Sequence, residues 1–504
     1  MLDAKPGSNL LFDGPEWSFE LLEKARDAIE EIALNDLGLN VYQNQIEIIS
    51  AEQMLDAYSC TGLPLMYQHW SFGKHFARDE ALYRTGRQGL AYEIVINSNP
   101  CISYNMEENT MAMQTLVMAH AAFGHNHFFK NNYLFLQWTD ADGIHDYLAF
   151  AKNYIAACEE RYGLDAVEEV LDAAHALQTQ GVFRYGRPPK PTAQELQAMQ
   201  RLRDGHEASR SLLDIWTDAT LGPKKEEDAR EAPFSARRKS LSLPQENILY
   251  FLEKHSPILQ PWQRELLRIV RMLAQYFYPQ KQTKVMNEGC ATFVHYYIIN
   301  ELFSQGRLTE GAYMEMMHSH TNVVLQPDYN DPRYAGLNPY ALGFAMMMDI
   351  KRICQDPTEE DREWFPDIAG HGAWRDVLRD AWANYRDESF IQQFLSPHLM
   401  RKFKLFALVD QEDQKDLVVS QIHNRAGYKE IRRALAQQYD LAYLEPDIQV
   451  TDADLSGDRR LILTHTVRDG VHLDEENKRE VLKHLGTLWG YDVCLNAMET
   501  ELWT

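Results

Sequence analysis

Apolar residues recur at helical spacing along most of the first 400 residues, and that period decides the fold class. In residues 18–37 (SFELLEKARDAIEEIALNDL), Phe19, Leu22, Ala25, Ile29 and Ile32 share one face, and Ser18 stands where an N-cap belongs. From about 107 to 180 the pattern predicts a helix from Glu108 to Gly124, another over 145–162 and a third over 165–178, with Gly163 as the stop between the last two. Residues 261–278, 287–304 and Tyr340–Cys354 are further helices. Strand signals are sparse there. Residues 90–96 (LAYEIVI) are rich in β-branched residues and end at the turn signal Asn97-Ser98-Asn99-Pro100, while 40–49 fits a short strand or a helix start.

After about residue 400 the pattern changes. KLFALV and VVSQIH read as strands, GYKEIRRALAQQY as a helix, DIQVTDADL and RRLILTHTV as strands, DEENKREVLKHLGTLWG as a helix and DVCLNAM as a last strand. The expected fold is therefore mainly α: a large helical domain over residues 1–400, then a small α+β domain of order ββαββαβ over 401–504. Residues 222–245 (GPKKEEDAREAPFSARRKSLSLPQ) are charged and polar and read as a mobile linker. A phosphate on Ser240 or Ser242 beside Arg237-Arg238-Lys239 is the functional alternative to a plain solvated linker.

A net charge of −24 repels phosphate backbones and anionic membrane surfaces, so nucleic-acid binding is not expected. No run of 18 apolar residues is present, so no membrane insertion is expected. Six scattered cysteines without a CxxC pair fit a reduced compartment, and the N-terminus has no basic segment followed by an apolar one, so the expected location is cytoplasmic.

The densest chemistry-bearing segment is His120-Ala-Ala-Phe-Gly-His125-Asn-His127, at the end of an apolar helix. Neutral imidazole is a good ligand for zinc, iron or nickel, and buried rings need partners for both nitrogens. The spacing is not the HExxH pattern, and on a continuous α-helix His120 and His125 would stand about 140° apart. A break at Gly124 would bring them together; the plain alternative is a polar helix end. A second segment, Asn287-Glu288-Gly289-Cys290 to His295, sets Glu288 and His295 on one helix face two turns apart, with an ordinary helix-start acid as the alternative for Glu288. His69 and Lys74 lie among aromatic residues in an irregular segment, as sites often do. Glu107 and Glu108 precede the His120 helix and are candidate general bases or, alternatively, first-turn acids. His318 and His320 share a face only in an extended chain and read as structural polar contacts.

Several stretches resemble the SpoVR family: HWSFGK (69–74), YEIVINSNPC (92–101), HAAFGHNHFFKNN (120–132), YFYPQKQTKVMNEG (276–289), HSHTNVV (318–324), NPYALGFAMMMDIKRIC (338–354), PTEEDREWFPDIAG (357–370) and DESFIQQFLSP (387–397). The likeness runs from about residue 15 to 497. The chain departs from it at Cys290 and Val294, where tryptophans are the family's usual residues. The resemblance implies a protein linked to sporulation and the spore cortex in spore formers and to stress elsewhere. It also implies two partners: a PrkA-type serine kinase and a protein with a von Willebrand A-like domain. It establishes no reaction.

The residues themselves point to a metal-dependent hydrolase, amidase- or peptidase-like, with zinc as the expected metal. His120, His125 and Glu288 are the expected ligands and His295 a ligand or proton relay. Glu107 or Glu108 is the expected base, and His69 steadies the developing oxyanion. The rival is a non-enzymatic regulator or scaffold working with the kinase, in which the histidines are a structural polar core.

Overall fold

Hydroxyl and amide side chains start the helices by accepting from backbone N–H groups that have no partner inside the helix. The computed structural model describes residues 9–59, 66–67, 69–70, 93–184, 238, 241–405, 407–409, 418–421, 425–455 and 457–499. Ser18 accepts from Leu21 N–H at 3.2 Å and opens α1 (Phe19–Glu31). β1 (Asn44–Ile49), α2 (Ala51–Ser59), β2 (Glu93–Ile96) and β3 (Cys101–Met106) follow. Thr110 caps α3 (Met111–Met118), which passes through a π turn (Ala119–His125) into α4 (Asn126–Asn131). Then come α5 (Ile144–Tyr162), α6 (Leu164–Ala176), α7 (Ile248–His255), α8 (Pro261–Gln282) and α9 (Lys284–Ser304). Further on lie α10 (Glu310–Val323), α11 (Pro339–Gln355), α12 (Trp374–Asn384), α13 (Asp387–Phe394) and α14 (Pro397–Lys402). β4 (Ala407–Val409), β5 (Val418–Gln421), α15 (Arg425–Gln437), β6 (Asp447–Ala453), β7 (Leu461–Val467), α16 (Glu475–Trp489) and β8 (Val493–Glu499) complete the chain.

The chain divides into two compact units, one of residues 1–168 with 275–444, the other of 169–274 with 445–504. In the first, β1 pairs parallel and β2 antiparallel with the central β3. Side chains alternate across the sheet. Ile46, Ile48 and Val95 face the main helical core, and Ile94, Tyr104 and Met106 face Met54 and Ala57 of α2. The centre of that core is α9, buried on almost every side from Val285 to His295, as its near-continuous apolar and small residues require. Small residues let its neighbours approach. A Cβ built on Gly289 would meet the Gly343 carbonyl carbon of α11 at 2.6 Å, and one on Gly124 would meet Ala291 Cα at 2.5 Å.

In the second unit β6 and β7 are antiparallel, and β7 and β8 are parallel and joined through α16. Asp474 caps α16, and Gly490, at a left-handed φ of 81°, ends it. Gln245 pairs with Val450.

The mainly α architecture and the small α+β C-terminal part agree with the sequence pattern, down to the order β4-β5-α15-β6-β7-α16-β8. The strands of that run fall in two sheets, β4-β5 and β6-β7-β8. Within residues 40–49 the strand is Asn44–Ile49, Gly163 ends α5 at φ 90°, and β3 is an addition the pattern did not announce. Lys74, Ser240 and most of the expected linker at 222–245 lie outside the described residues. Among the described residues, no helix is long and apolar enough to cross a membrane.

Candidate metal centre

The helix carrying the histidines does not break at Gly124; it widens. In a π turn the hydrogen bonds run from residue i to i+5, so residues five apart stack one above the other. Asn126 N–H accordingly bonds Ala121 O. His120 and His125, which an α-helix would splay, come together with ring centroids 4.7 Å apart and edge to face.

Glu288 reaches the same point from α9. It is not the acid that stabilises the start of that helix. Asp387 does so, its two carboxylate oxygens accepting from Val285 N–H and Met286 N–H at 2.8 Å each. Burial pushes the Asp387 carboxyl up to about 7 against the pull of those bonds. With the cap filled, Glu288 turns inward. Its Oε2 lies 3.6 Å from His125 Nε2 and 3.9 Å from His120 Nε2, and this buried oxygen has no hydrogen-bond partner. The ligand atoms of His120, His125 and Glu288 all lie within 4.8 Å of one another.

A fourth group comes from the sheet. Glu93 of β2 sits on the core face beside Val95 and puts Oε1 3.7 Å from His120 Nε2. Burial, and then the charge of Glu288, push its carboxyl up to about 8. The sequence signal for Glu93 is a carboxylate inside the β-branched strand EIVI, at a position that alternation turns toward the core.

The outer nitrogens of the two rings are held in place. His125 Nδ1–H donates to Asn287 Oδ1 at 2.9 Å, which turns Nε2 toward Glu288. His120 Nδ1 pairs with His295 Nδ1 at 2.9 Å, and His295 Nε2 pairs with His320 Nδ1 at 2.9 Å. Burial, reinforced by neighbouring imidazoles, holds His120 and His295 well below the ordinary histidine value; burial alone lowers His320 to about 4. The three rings are neutral. His295 is thus joined to the centre behind His120. His320, in α10 and buried, belongs to the string, while His318 is exposed.

The remaining expected residues lie elsewhere. Glu107 and Glu108 are exposed between β3 and α3; Glu107 O accepts from Trp17 Nε1, and Glu108 Oε1 accepts from Ala51 N–H. The length of α3, about 12 Å at 1.5 Å per residue, stands between Glu108 and His120. His69 is buried beside Trp70, with ring centroids 5.5 Å apart, and is not among the converging ligands. His127 bonds the backbone of Asn40 and packs edge-on against Trp382, a structural role.

The family described as SpoVR like protein matches residues 16–444, and the SpoVR-like C-terminal domain matches 446–500. The chain is 56% identical over 491 residues to the uncharacterized protein YcgB of Escherichia coli (strain K12), covering 97% of this chain and 94% of that protein. No solved structure matches it.

Proposed function

The chain belongs to the SpoVR family, and we propose that its buried centre is that of a metal-dependent hydrolase of the amidase or peptidase type. The observation that carries this reading is the orphaned Oε2 of Glu288, faced at 3.6 and 3.9 Å by two imidazole Nε2 atoms. Ligand atoms about 2.0–2.2 Å from a tetrahedral zinc stand about 3.3–3.5 Å apart, so the spacing suits three donors around one ion better than direct hydrogen bonds. His125 Nδ1–H on Asn287 is the outer-shell contact that imidazole ligands characteristically make.

His120, His125 and Glu288 would hold the ion, and His295 orients His120 from behind. A divalent ion in such a set, zinc by its mixed imidazole and carboxylate character, polarises a carbonyl and acidifies water. Glu93, its carboxyl raised to about 8, would hold a proton beside His120 and give it to a leaving group there, a position that Glu107 and Glu108 stand too far away to take. The substrate on this reading is an amide of a peptidoglycan-related or protein chain, in keeping with the spore-cortex link that the resemblance implies.

Metal analysis of protein purified without an affinity tag tests this. We expect about one zinc or iron per chain, lost in a His120→Ala, Glu288→Ala double variant and kept in Glu107→Gln and Glu108→Gln. Metal-free protein sinks the reading in favour of a regulator acting with a PrkA-type kinase.

A further inference from the structure

Behind the centre, within the same compact unit, lies a cavity of about 1360 Å³. Its walls are largely apolar and aromatic, among them Phe344, Met348, Leu399 and Leu435, with Lys402 and His398 as basic groups. His320 forms part of that wall, packed against Tyr296 and Phe344. Its Nδ1 is spent on His295, and its Nε2 makes no hydrogen bond among the described residues. The Arg352 and Lys404 cations are already matched, by Asp349 with Asp361 and by Asp328.

A neutral imidazole carries one N–H and one lone pair, so a string of three rings joined nitrogen to nitrogen has only two arrangements. In one, His120 Nδ1–H donates to His295 Nδ1, His295 Nε2–H donates to His320 Nδ1, and His320 Nε2–H is presented to the cavity. His120 Nε2 is then a lone pair facing Glu288, ready to ligate. In the other arrangement every proton shifts to the opposite nitrogen, His120 Nε2 carries hydrogen, and His320 offers a lone pair. Whatever touches His320 Nε2 therefore selects the state of His120 Nε2, two rings away.

We propose that this cavity is a ligand site for an apolar molecule bearing a hydrogen-bond acceptor, a carboxylate or carbonyl, and that the His320–His295–His120 string couples its occupancy to metal binding at the centre. The inference rests on the metal reading above. An acceptor at His320 Nε2 stabilises the ligating arrangement, and by reciprocity the metal tightens the acceptor. His320 is a positioning residue in this scheme, since it acts through His295.

Octanoate and octylammonium share a tail and differ in hydrogen-bonding sense, so they serve as probes with the full-length chain. Co(II) affinity is titrated with and without each. We expect octanoate to tighten Co(II) about tenfold, within the usual range of coupling between sites, and octylammonium not to. His320→Gln, which cannot relay a proton from one ring nitrogen to the other, loses the octanoate response. Met348→Trp, which narrows the cavity, weakens the octanoate response. Co(II) binding indifferent to octanoate, or a response that survives in His320→Gln, overturns the coupling and leaves the metal reading standing. No Co(II) uptake under any condition overturns both.

Discussion

Glu93 and Glu288 set two carboxylates around one imidazole, and the cost of that pairing falls on Glu93, whose carboxyl is raised by burial and then by Glu288 from 4.5 to about 8. A raised carboxyl means that the folded chain holds a proton the unfolded chain releases. Its contribution to stability is complete below the ordinary value and is lost as the pH climbs through about 8. His120 and His295 act in the opposite sense: held neutral, they cost stability as the pH falls below about 6.5. Asp387, raised to about 7, loses most of its part by neutrality. Between about pH 7 and 8 the alkaline limb is therefore mainly that of Glu93, before the buried thiols of Cys101 and Cys290, also raised, add their own loss. In chelator, the melting temperature of the wild-type protein is expected to fall between about pH 7 and 9, by an amount equivalent to at most about 1–2 kcal/mol. Glu93→Gln flattens that limb, and saturating divalent metal does the same, because a cation between the carboxylates removes the penalty. Parallel curves for wild type and Glu93→Gln would remove Glu93 from the centre.

Helix α9 delivers Glu288 and His295 only because its neighbours cross it closely. A Cβ on Gly289 would come within 2.6 Å of the Gly343 backbone, so Gly289→Ala must push α9 and α11 apart. We expect it to cost about 1–3 kcal/mol, read from denaturant midpoints at constant slope. Gly311 in α10 has open space around the Cβ position, and Gly311→Ala is expected to stabilise by about 0.4–1 kcal/mol. A Gly289→Ala protein as stable as the wild type would mean that the crossing is loose. The helices themselves were legible in the sequence, because Leu22, Ala25, Ile29 and Ile32 repeat with a helix's period and Ser18 marks the start, although Phe19, read on the same face, is exposed. The centre was legible in part. His120, His125, Glu288 and His295 stand out as polar residues in apolar runs, but their convergence was not deducible. The π turn that aligns His120 with His125 has no residue signature, and an α period puts them about 140° apart. Glu93 and His320 arrive from a strand and a helix distant in sequence, and only packing discloses that they face the others.

At the scale of the whole molecule, the family boundary and the packing boundary coincide near residue 445, yet residues 445–504 do not pack by themselves. Their compact unit is completed by 169–274. Gln245 and Val450 exchange two backbone hydrogen bonds of 2.9 and 2.8 Å, and Ser256 Oγ–H donates to Leu488 O at 2.7 Å. Trp489, fully buried, stacks on Phe251 of α7, with ring centroids 6.0 Å apart. About 60 residues forming three strands and one helix bury too little apolar surface to offset the entropy of ordering them without such a partner. The isolated 445–504 segment is therefore expected to show no cooperative thermal transition. A chain truncated after Leu444 should still take up metal, because His120, His125, Glu288 and Glu93 all belong to the other unit. Limited proteolysis of that truncated chain should cut first within 241–260, where α7 has lost the sheet and Trp489, at sites protected in the full-length protein. A sharp melting transition for 445–504 alone, or an unchanged cleavage pattern after truncation, would show that this domain carries its own core.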